Sequence, residues 1–108
     1  MKHGIEIQLA AQLDAVEYAE YIARDSPDAA RRFLAGVNAA IIVIGENPGI
    51  GHPREMMNPT LVGVRAVAVV GFHNHSVFYR VLDNGTVRVL RVRHAAMDHD
   101  AVEMDEGE

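Results

Sequence analysis

Six arginines and one histidine crowd the second half of this chain: Arg54, Arg65, Arg80, Arg88, Arg91, Arg93 and His94. A guanidinium offers a fixed fork of donors that fits a carboxylate or a phosphate, and an imidazole exchanges a proton near neutral pH. Residues 54–97 set these arginines against only Glu55 and Asp83, a local net charge of +4 inside a chain whose formal charge is -5. The difference comes from residues 1–53, with four basic and seven acidic groups, and from residues 98–108, with six acids and no Lys or Arg. The second half therefore carries a cationic field suited to an anionic partner, which the overall charge hides. Each arginine also has a plainer use: Arg65 and Arg80 lie in strand-like segments and can pair with an acid such as Asp14. His73 and His75 would need a third ligand to hold a metal, and the absence of cysteine excludes thiolate sites and disulfides. No metal and no cofactor is expected.

The elements that position these groups follow from periodicity. Ile5, Ile7 and Leu9 alternate with polar residues, a short strand. Ala11, Ala15, Tyr18 and Ile22 then recur at helical spacing, giving a first helix to about Arg24. Ser26-Pro27 starts a second helix that buries Ala30, Phe33, Leu34, Val37, Ile41 and Ile44 and stops at Asn47-Pro48-Gly49. The short link near Asp25 makes the pair an antiparallel hairpin. Three strands follow, over 61–72, 75–82 and 86–94, with a turn at Asp83-Asn84-Gly85. The order β-α-α-β-β-β predicts an α+β fold, a helical hairpin packed on one face of a small, mainly antiparallel sheet.

Both alternating sets of the 61–72 segment are apolar, Val62, Val64, Ala66, Ala68, Val70 and Phe72 on one side and Leu61, Val67 and Val69 on the other. Two helices cover one face, so the other is either covered by the chain's own loops or left as an open apolar groove with Val67 and Val69 in it and Arg54, Arg65, Arg80 and Arg91 flanking it, which with the helical hairpin would receive a partner segment.

Five segments, in register on that element order, resemble the ParE/RelE toxin superfamily. They are Ala11 to Ile22, with Asp14, Tyr18 and Tyr21; Ala30-Arg31-Arg32-Phe33; Pro48-Gly49-Ile50-Gly51-His52-Pro53-Arg54; Val77-Phe78-Tyr79-Arg80-Val81; and Val89-Leu90-Arg91-Val92-Arg93-His94. The likeness covers residues 5 to about 98 and departs at His52 and Met97, where the superfamily pattern has arginine.

The resemblance implies a toxin of a type II toxin-antitoxin system, of the plasmid-stabilisation kind, neutralised by a cognate ParD/RelB-like antitoxin. ParE-like members inhibit DNA gyrase and need no catalytic set; RelE-like members cleave mRNA on the ribosome. In the second case Arg65 and Arg93 would supply positive charge to the transition state and His94 would act as general acid. Residues 1–97 carry a net charge of only +1, modest for work inside ribosomal RNA, which favours gyrase inhibition and a protein that is not an enzyme. A family member that is inactive and only binds a partner is the third reading. Residues 1–97 are expected to be the single toxin domain and 98–108 an acidic solvated tail. With no signal core and no apolar stretch of spanning length, the expected location is cytoplasmic, away from membranes.

Overall fold

The structure is a computed structural model and describes residues 4–55 and 61–95; the acidic tail lies outside them. The chain runs β1 (Ile5–Ile7), α1 (Leu9–Ala23), α2 (Pro27–Glu46), β2 (His52–Pro53), β3 (Arg65–Val69), β4 (Phe72–Val81) and β5 (Val87–His94). The strands form one sheet in the order β1-β5-β4-β3-β2, with β1 parallel to β5 and every other pairing antiparallel. This is the expected α+β arrangement, with the two-residue β2 added at one edge.

Local chemistry sets the helix boundaries. The Ser26 hydroxyl accepts the Ala29 N–H at 3.1 Å, and Pro27 occupies the first helical turn, where its missing N–H costs nothing. Alanines 11, 15 and 19 give α1 a thin buried stripe, so α2 and the sheet approach it closely. Phe33, Ala40 and Ile44 of α2 are fully buried in the main core with Val77, Tyr79, Val87 and Val89. Gly85, at φ +89°, closes the β4–β5 turn where a side chain would strain the backbone.

Two features differ from the expectation. Strand β5 carries a bulge: Phe78 pairs with Arg91 and Tyr79 with Val89, so Leu90 is the extra residue. Val87, Val89 and Val92 therefore join the core under the helices, while Leu90 joins a second core with Leu61, Val64, Ala66 and Phe78. That second core is the other correction. The 61–64 segment is a turn folded over the sheet, not the start of a strand, and it leaves Phe78 and Leu90 with 0% exposure. The predicted apolar groove on the open sheet face is sealed by the chain itself. Val67 and Val69 belong to the helix-side core, with Val69 buried, and are not partner-binding positions on a free face.

Candidate functional site

Arg65 and Tyr79, neighbours across β3 and β4, build the glycine loop at 48–51. Tyr79 donates its hydroxyl hydrogen to the Pro48 carbonyl at 2.7 Å and accepts the Gly51 N–H at 2.9 Å. The Arg65 guanidinium donates to the carbonyls of Gly51 at 2.7 Å and Gly49 at 3.3 Å. Burial pushes the Tyr79 hydroxyl above its ordinary value of 10, so it stays a donor. A Cβ on Gly51 would sit 2.6 Å from that hydroxyl, which is why the loop has no side chain there. Arg65 is thus a loop-fixing residue whose acceptors, among the described residues, are carbonyls rather than the expected acid.

Asp14 instead receives Arg91. The carboxylate accepts Arg91 Nε at 2.7 Å and Nη2 at 2.9 Å, and also the Val92 N–H at 3.0 Å. Hydrogen bonding to Asp14 holds Arg91 more firmly protonated than an ordinary arginine. The bulge at Leu90 aims Arg91 at α1, and the pair pins α1 to β5. Arg91 is therefore turned inward, away from a partner.

His94 faces His75 across the β4–β5 ladder, with ring centroids 4.7 Å apart. The His75 ring also meets Tyr18 and Phe33 edge-on, each at 4.9 Å, and the Tyr18 hydroxyl accepts the His94 N–H at 3.1 Å. His75 is thus turned into the core, and no cluster of three metal-ligating side chains exists among the described residues. Burial first, and His94 second, push the His75 imidazole below its ordinary 6.5. The unfolded chain then binds a proton that the folded chain resists. Stability present above pH 6.5 is lost as pH falls through the lower folded value. Melting temperature should drop between pH 7.5 and 5.5, and His75→Gln should flatten that drop; an equal drop in both proteins would exclude His75 as its source.

The sheet face opposite the helices is basic. Arg80 and Arg88 sit directly opposite each other, Arg93 pairs with Ser76 one residue pair beyond Phe78, and Arg54 lies 5.3 Å above the Phe78 ring. Within this group Arg88 donates to Glu6 at 3.1 Å. Arg54, Arg80 and Arg93 are thus gathered on one surface, as an anion-binding role requires, while Arg65 and His94 belong to the other side of the sheet.

A second surface lies on the helical hairpin. Between the helices, above β5, a groove of about 140 Å³ opens between Ala11 and Ala15 of α1 and Leu34, Val37 and Ile41 of α2. Leu34, predicted as core, is 42% exposed on its wall. Small alanines on α1 leave the larger α2 side chains without a full partner. On its face away from the alanines, α1 presents Leu13 and Val16 at 52% and 48% exposure. The alanine stripe of α1 facing the larger Leu34, Val37 and Ile41 of α2 is the sequence signal for the groove.

Residues 5–99 match the family described as the ParE toxin of the type II toxin-antitoxin system, parDE. Toxin ParE1 of Mycobacterium tuberculosis is 36% identical over 73 residues, 68% of this chain and 68% of that protein. Among solved structures, the chromosomal ParDE system from P. aeruginosa superposes with a TM-score of 0.67 at 18% identity, covering 86% of this chain and 96% of that one. The toxin-antitoxin complex RelBE2 from Mycobacterium tuberculosis gives 0.57 at 21% identity, covering 87% and 99%. At these identities the solved structures speak to the fold. No described helix is long and apolar enough to cross a membrane.

Proposed function

The chain belongs to the ParE toxin family of type II toxin-antitoxin systems, and from that premise we propose that it arrests DNA gyrase without catalysis and is silenced by an antitoxin segment seated in the interhelical groove. The toxin role and an antitoxin partner come with the family; the target and the docking place are the proposal.

One observation carries the non-catalytic reading. The three residues that would form a nuclease site do not converge. Arg65 pairs with Tyr79, and His94 pairs with His75, four residues further along β4. Four residues of strand and two strand spacings separate their backbones by about 16 Å, whereas one phosphate in its transition state needs its acid and its cations within hydrogen-bond reach. Arg93 pairs with Ser76, which shares the face of Phe78 rather than that of His75. The loop carbonyls further occupy Arg65.

The groove supports an antitoxin contact that is apolar at its centre, with the exposed Leu34 as its anchor. Purified protein at micromolar excess should block supercoiling by gyrase, and translating ribosomes should show no His94-dependent mRNA cut. Cleavage that disappears in His94→Ala, with gyrase untouched, would replace this reading by the ribonuclease one.

A further inference from the structure

We propose that Asn38 sets the register of the antitoxin: a helical segment of it lies along the interhelical groove and meets Asn38 with an Asn or Gln of its own. The inference rests on the docking place proposed above and adds the chemistry of what docks there. Leu34, Asn38 and Ile41 line the groove from α2. Their spacing, four residues and then three, is the seam by which one helix packs along another. The described lining holds no charged side chain, and its polar members are Gln12 and Asn38. Gln12, on α1, donates its amide N–H to the Ile7 carbonyl at 3.1 Å. Asn38 is exposed, and its side chain is hydrogen-bonded to no other described residue. An amide thus stands in the middle of an apolar seam, between Leu34 and Ile41.

Covered by an apolar side chain, that amide would lose its water and gain no partner, the penalty of a buried unsatisfied polar group. An Asp or Glu would accept from its N–H groups, yet would bring a charge into an uncharged lining and leave the Asn38 Oδ1 unmatched. A second carboxamide offers donor and acceptor together and matches both. One amide pair inside a helical seam weakens association relative to an all-apolar seam, but it fixes register, because any slip sets an amide against an apolar side chain. Leu34 and Ile41 then supply affinity, and Asn38 supplies selection among related antitoxins.

Calorimetry of the full chain against its full-length cognate antitoxin is the test. Leu34→Asp should weaken binding about a hundredfold by setting a charge on the groove wall. Unchanged affinity there would remove the docking place itself, and this inference with it. With the docking place upheld, Asn38→Leu should weaken binding about tenfold or more, since the antitoxin's amide is left against an apolar side chain. Leucine is the better helix former at an exposed position, so the melting temperature should hold or rise and unfolding does not account for the loss. Changing one Asn or Gln of the antitoxin to Leu should restore tight binding to Asn38→Leu while weakening binding to the unchanged chain. An Asn38→Leu chain that binds as tightly as the unchanged one, or a loss that no such change in the antitoxin reverses, would overturn the proposal and leave the groove as the antitoxin's seat.

Discussion

Asp14→Ala is expected to cost roughly 3–5 kcal/mol of folding stability, the range for removing one partner of a buried ion pair. The carboxylate satisfies three donors at once, two on Arg91 and the backbone N–H of Val92. Asp14 and Arg91 side chains are 8% and 18% exposed, so neither regains full hydration when the other is lost. Alanine leaves a nearly buried cation and a bare amide beneath α1. Against a total of about 5–15 kcal/mol for a domain of this size, the variant would be marginal at physiological temperature. Urea melts of Asp14→Ala, Arg91→Met and the double variant give the check. The double variant should recover part of the loss, because an apolar pair of similar volume removes the stranded charge. A loss under about 1 kcal/mol in Asp14→Ala would mean that the pair behaves like a surface bridge.

That pair also marks where the sequence stops being legible. Helix boundaries were readable because their causes are local: Ser26 caps within three residues, and Pro27 and Asn47-Pro48 act through their own backbones. The sheet was readable in element and order, since valine-rich segments and the Asp83-Asn84-Gly85 turn are also local signals. Register was not. The run Val87-Arg88-Val89-Leu90-Arg91-Val92 breaks its period at Leu90, and only pairing with β4 shows that the break is a bulge sending Arg91 to α1. The same limit misplaced Val67 and Val69. Leu61 and Val64 extended an apparent strand, yet Gly63 at φ +83° turns them over the sheet, where they close the face that the pattern left open. Of the candidate site, the cationic character of Arg54, Arg80 and Arg93 was readable from charge. The inward use of Arg65 and Arg91 was not, because carbonyls and a carboxylate distant in sequence supply the acceptors.

Gly36→Ala should have the second-largest effect, with a sign opposite to helix propensity. Inside α2 the change ought to gain up to about 1 kcal/mol. Its Cβ, however, would lie 2.2 Å from the Val70 carbonyl oxygen and 3.1 Å from a Val69 methyl. The first obstacle is backbone, held by the Val70 N–H donating to the Gly36 carbonyl at 3.3 Å, so relief requires moving α2 off the β3–β4 turn. Overpacking of this kind costs about 1–3 kcal/mol, and losing the interelement hydrogen bond adds about 1 kcal/mol. A net loss of roughly 1–3 kcal/mol follows. Gly45→Ala is the matched control: its Cβ would meet the Ile5 Cδ1 at 2.5 Å, the free end of an exposed side chain that can rotate away. The control should be neutral within about 1 kcal/mol. Because Leu34 and Val37 flank Gly36, lifting α2 also reshapes the groove, so Gly36→Ala should weaken antitoxin binding by calorimetry beyond what its lower stability explains. Equal stabilities for the two variants would show that α2 and the Val70 carbonyl are not in fixed contact.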